Sequence, residues 1–144
     1  MNLLESQITD KGFIQNLIPQ KDPFVMVDKL LFFSENKVVS GLLVSEENIF
    51  SKHQTFTEPG IIEHMAQTVA LYTGYQYFLK NEPAPTGYIG AIKKVEIHNL
   101  PPTSEELITT VTILHEIMGV TLVTIQTECE GNVIATSEMK TVLA

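Results

Sequence analysis

The sequence predicts an α+β fold in which one antiparallel sheet wraps around a long central helix, and two observations lead there. Between Pro59 and Leu79 nearly every position is apolar, so this segment reads as a helix with almost no polar face, buried nearly all round. After Leu107 the pattern changes to alternation over three consecutive segments, Leu107 to Ile117, Val120 to Glu130 and Val133 to Val142. Met118-Gly119 and Glu130-Gly131-Asn132 join them, so they read as long antiparallel strands. A sheet of that kind buries such a helix on its concave face. At 144 residues the chain is expected to form one domain, 1–144, with a proper core.

The remaining elements follow in order. Gly12 to Ile18 has the spacing of a short amphipathic helix, stopped by Pro19, and Pro23 favours an extended chain after it. Phe24 to Val27 leads into Leu30-Leu31-Phe32-Phe33. The turn Ser34-Glu35-Asn36-Lys37 then returns the chain as Val38 to Val44, a hairpin. Beyond the long helix, Glu82-Pro83-Ala84-Pro85 marks a loop, and Tyr88 to Ile97 reads as a strand with a kink near Lys93-Lys94. Leu100-Pro101-Pro102-Thr103-Ser104 is a second break.

Composition excludes several functions. Seventeen acidic residues against nine lysines, with no arginine, give a net charge of -8, which argues against nucleic acid as a partner. No glycine-rich nucleotide loop occurs. Lys21, Lys52, Lys93 and Lys94 remain to contact the anionic arm of a cofactor or carrier. No apolar run reaches the ~20 residues that a bilayer span requires, and the first residues lack the pattern of a signal peptide, so a cytoplasmic location is expected. The lone Cys129 reads as a small packed side chain, and His98 and His115 lack metal-ligand spacing, so no metal is expected. An apolar fraction of 44% against 18% charged residues suits a compact globule with a buried subunit interface.

The segment Pro59-Gly60-Ile61-Ile62-Glu63-His64-Met65-Ala66-Gln67 carries the chemistry. Glu63 and Gln67 stand four residues apart and share a helix face, which Ala70 and Gly74 extend with small side chains, so the stripe has room to line a tunnel. Two plainer roles stand beside this one: Glu63 as a complement to the helix dipole, and Gln67 as a satisfied buried amide. His64 points to another side and is expected at an interface or on the surface.

These residues resemble the hot-dog-fold β-hydroxyacyl-acyl carrier protein dehydratases. Leu17 to Lys29 is similar to that family's entry motif, Ile49-Phe50-Ser51-Lys52-His53 to the segment ending in its catalytic histidine, and Glu63-His64-Met65-Ala66-Gln67 to the helix beginning with its catalytic acid. The stretch from Tyr88 to Pro102 resembles its next strand and proline-containing loop. Gln54 to Glu58 replaces the family's glycine-rich run, and Gln20 stands where the family has an early histidine. This shortened form looks more like the dehydratase-like proteins of aryl polyene or flexirubin pigment synthesis.

The resemblance implies a hot-dog homodimer, or a heterodimer with another hot-dog subunit, whose site takes its histidine and its acid from different subunits. It implies no cofactor. The expected reaction is loss of water from a 3-hydroxyacyl thioester on acyl carrier protein or coenzyme A, in fatty acid or polyene synthesis. His53 would be the base and Glu63 the acid, whose apolar surroundings would favour the proton-bearing form. Backbone amides at Gly60 and Ile61 would polarise the thioester carbonyl, Gln67 would touch substrate, and Lys93 and Lys94 would meet an acidic carrier. Two alternatives are a thioesterase using the same carboxylate on water and a non-catalytic acyl-binding subunit that pairs with an active hot-dog partner.

Overall fold

The computed structural model describes residues 1–144. Helix α1 (Lys11–Leu17) starts where the Asp10 side chain accepts a hydrogen bond from the Phe13 amide, and it stops two residues before Pro19. Strands β1 (Lys29–Ser34) and β2 (Lys37–Leu43) form the expected hairpin, with Ser34 paired to Lys37 across Glu35-Asn36. Next come β3 (Ser51–Lys52), β4 (Thr55–Phe56), the 22-residue helix α2 (Glu58–Leu79), β5 (Gly87–Ile97), β6 (Glu106–Ile117), β7 (Val120–Cys129) and β8 (Asn132–Leu143). The large sheet runs β1-β2-β6-β7-β8-β5, every pairing antiparallel. It packs against α2, the arrangement the sequence predicts.

Three local features refine the sequence reading. The pairing of β5 with β8 shifts register between Ile89 and Ala91 and between Ile92 and Lys94, so the expected kink is a bulge at Lys93. The segment before the long helix folds into the small β3–β4 hairpin, whose turn residues His53 and Gln54 both have positive φ, 54° and 62°. Phe24 to Val27 stays outside the sheet because α2 satisfies its backbone: Gln67 Oε1 accepts from the Met26 amide at 2.6 Å, and Gln67 Nε2 donates to the Phe24 carbonyl at 2.8 Å.

Between Gly60 and Tyr77 no residue of α2 is exposed, in keeping with its apolar sequence. A chain of hydrogen bonds crosses this core. His64 Nδ1 lies 2.6 Å from the Met26 carbonyl, which can only accept, so Nδ1 carries the proton and Nε2 accepts from Thr109 Oγ1 at 2.8 Å. The Thr109 oxygen then accepts from Thr127 Oγ1 at 2.7 Å. Thr68 donates to the His64 carbonyl, so it is Ser40 on β2 that donates to Thr68 Oγ1, at 2.6 Å. His64 is therefore a wholly buried core residue, which corrects its expected place at an interface or surface. A neutral imidazole with one donor and one acceptor nitrogen satisfied has no need of water.

Burial lowers the His64 pKa to about 4, against the hydrogen bond to Met26, which acts in the opposite sense. Below pH 6.5 the unfolded chain takes up a proton that the folded chain refuses down to about pH 4, so stability falls on acidification through that window. The loss attributable to His64 is expected to be about 3 kcal/mol. Urea unfolding at pH 7 and pH 4.5 should therefore show a smaller acid-induced loss in His64→Gln than in the wild type.

Candidate active site

A cavity of about 590 Å³ opens between the end of α1, one face of α2, the loop at residues 83–86 and the adjoining ends of β5 and β8. Glu63, Ala66, Val69, Ala70, Thr73 and Gly74 form its helix wall, and Asn16 to Gln20 form the wall opposite. The small-residue stripe thus does line a cavity. Room comes from Ala66 and Ala70, while Gly74 brings the two helices close: a Cβ there would sit 1.9 Å from the Leu17 carbonyl oxygen. Glu63, half-buried, is the only charged side chain in the lining. Gln20 belongs to the same lining, and its Oε1 is buried without a hydrogen-bonding partner.

The other expected site residues are distributed around this cavity. Gln67 is fully buried and turns away from it, its amide occupied at both ends by the backbone of Phe24 and Met26. Gly60, in the first turn of α2, packs on the Phe56 ring, where a Cβ would lie 2.5 Å away, and it is not part of the cavity lining. The amide of Ile61 donates to the Thr57 carbonyl at 3.2 Å, within the first turn. Thr57 makes no side-chain cap bond to the helix, and its hydroxyl donates to the Phe50 carbonyl.

His53 stands exposed at the tip of the β3–β4 hairpin and is not part of the cavity lining of its own chain. Lys93 and Lys94 are exposed on β5. Lys94 is paired with Glu96 at 2.9 Å, which raises its pKa, and it borders a polar hollow of about 490 Å³ with Lys37, Thr110 and Glu138. Lys21 is already engaged, donating to the Gln15 and Ile18 carbonyls at the end of α1 at 2.8 and 2.9 Å. Four members of the buried polar set escaped the sequence reading, Ser40, Thr68, Thr109 and Thr127. The spacing of Thr109 and Thr127 within alternating strands is ordinary, and only the sheet register brings them under His64.

With this geometry in view, known proteins resemble the chain over most of its length. A family model described as ApeP-like, ApeP dehydratase, matches residues 13–143. The 3-hydroxyacyl-acyl-carrier-protein dehydratase FabZ of Vibrio atlanticus is 28% identical over 137 residues, with 88% of each chain covered. FabZ of Vibrio cholerae is 26% identical over 133 residues, covering 88% of this chain and 86% of the relative. Among solved structures, the dehydratase heterocomplex ApeI:P from Xenorhabdus doucetiae matches with a TM-score of 0.85 at 18% identity, over 91% of this chain and 90% of that one. The fold is the hot-dog fold.

The placement of Gln67 makes a prediction about stability. Gln67→Leu leaves the Met26 amide and the Phe24 carbonyl without their partner, so urea unfolding should show a loss of about 1–3 kcal/mol.

Proposed function

This chain belongs to the ApeP-like dehydratase family, and we propose that it removes water from a 3-hydroxyacyl thioester, held on acyl carrier protein or coenzyme A, to give the enoyl thioester. The observation that carries the reading is Glu63, a single carboxylate set among small and apolar groups in a cavity of a size that takes an acyl chain. The FabZ relatives, 3-hydroxyacyl-acyl-carrier-protein dehydratases, support the same substrate class.

In this reading the start of α2, with Gly60 and Ile61 in its first turn, favours the negative charge that develops on the thioester oxygen through the helix dipole. A base takes the proton from C2, and the Glu63 carboxyl gives a proton to the hydroxyl on C3. The C3–O bond breaks as the C2–H electrons form the double bond, and water leaves. The base is His53 of the partner subunit, since His53 lies outside the cavity lining of its own chain.

The partner joins along β5. This edge strand exposes Tyr88, Ile89 and Ile92, lies at the end of the sheet, and has one unpaired side. A second copy of this chain fits that edge and brings the partner's His53; a related hot-dog chain, as in the ApeI:P heterocomplex, is the alternative occupant. Carrier recognition would fall to Lys93 and the partly neutralised Lys94, and the working location would be the cytoplasm.

Two outcomes test the reading. Purified protein given a short 3-hydroxyacyl thioester should form enoyl thioester without releasing free thiol, and Glu63→Gln should slow this by about 100-fold or more. Free thiol without enoyl product would replace the reading with hydrolysis. Co-expression of His53→Ala with Glu63→Gln, each inactive alone, should restore about a quarter of wild-type activity, because half the dimers are mixed and each carries one intact site. Failure of that mixture to recover activity would place both groups in one chain.

A further inference from the structure

We propose that Gln20 binds substrate in the Glu63 cavity, its side-chain amide holding the 3-hydroxyl group of the acyl chain. The proposal rests on the dehydratase reading and adds the group that fixes where the hydroxyl lies.

Gln20 Oε1 is the one buried side-chain polar atom in the molecule without a hydrogen-bonding partner. A buried acceptor left in that state is costly, and the rest of this core avoids it: His64, Gln67, Thr68, Ser40, Thr109 and Thr127 all find partners. The exception falls in the lining of the cavity that also holds Glu63.

The amide stands on a firm base. Pro19 precedes it, Lys21 ties the next residue back to the Gln15 and Ile18 carbonyls, and Leu17 lies hard against Gly74. An acceptor held on such a backbone is preorganised for a donor that the ligand brings.

A 3-hydroxyacyl pantetheine offers two kinds of donor, the 3-hydroxyl and the amides of the pantetheine arm. The hydroxyl fits better. It must lie beside Glu63 to receive a proton there, and Gln20 shares that cavity. A hydroxyl also donates and accepts at once, so its O–H bonds to Gln20 Oε1 while a lone pair faces the Glu63 carboxyl. When C3–O breaks, the oxygen keeps its original hydrogen, gains the one from Glu63 and departs as water. The bond to Gln20 strengthens on the way, because the oxygen becomes a more acidic donor as it is protonated.

The test compares 3-hydroxyacyl pantetheine with the saturated acyl pantetheine of equal length, by calorimetric titration of the full chain. The Glu63→Gln background keeps the hydroxylated ligand from being consumed. The hydroxylated ligand should bind about tenfold more tightly, and adding Gln20→Met should remove that preference by weakening this ligand alone. Gln20→Ala, with its melting curve matched to its parent, provides the same readout should the methionine repack. Equal weakening of both ligands would assign Gln20 to the pantetheine arm or to the scaffold, and an unchanged preference would remove it from the site; either overturns the proposal. Binding of neither ligand by the wild-type chain would instead sink the acyl-thioester reading itself.

Discussion

The seating of α2 by hydrogen bonds inside an otherwise apolar core is the constraint on which the rest of the structure depends. Apolar burial is non-directional and sets no rotation for a helix that is greasy on every side. His64, Gln67 and Thr68 do set one. They engage the Phe24–Met26 segment, Ser40 on β2 and Thr109 on β6, three separate parts of the chain. A rotation or slide of one residue would leave several buried groups unpaired at once, at about 1–3 kcal/mol each. Glu63 precedes His64 by one residue and so points about 100° away from it, out of the polar network and into the cavity. The buried amide and imidazole thereby aim the carboxylate from within the core.

Room for that carboxylate is a matter of side-chain size on the same helix. Ala66 and Ala70 face the cavity one and two turns after Glu63, where larger residues would fill it. Gly74 has the opposite effect: it allows α1 to close down on α2 and seal the far end, with the Leu17 carbonyl where a Cβ would be. One face of a single helix thus holds the charge, the space and the closure. The wall opposite is tied by Lys21 to the end of α1, so the two sides of the cavity are both rigid.

What was legible in the sequence is what depends on local period and on punctuation. The long helix, the first hairpin, the three C-terminal strands and even the bulge at Lys93 follow from apolar spacing, Gly and Pro, and tight turns. Glu63 with its small-residue stripe was legible for the same reason, since residues at spacings of three and four share a face. The partners of His64 and Gln67 were not. Met26 is 38 residues from His64, and Thr109 is 45 away, so only the assembled sheet shows that the histidine is buried and the glutamine occupied. The β3–β4 hairpin hid for another reason, because its turn uses left-handed His53 and Gln54 where Asn or Gly is the usual signal.

The exposed hairpin and the exposed edge belong to one argument. His53 sits at the tip of a two-residue turn, held in a left-handed conformation that few side chains adopt, and it has no role in the core of its own chain. At one end of the six-stranded sheet, β5 keeps an unpaired edge and exposes Tyr88, Ile89 and Ile92, with Lys93, Lys94 and two bulges limiting its pairing to part of its length. In the proposed dimer, a second hot-dog chain at the edge would cover the apolar strand and give the presented histidine a cavity to serve. Under the proposed dehydratase reading the same step would make activity depend on assembly, and dilution that separates the subunits would silence the site.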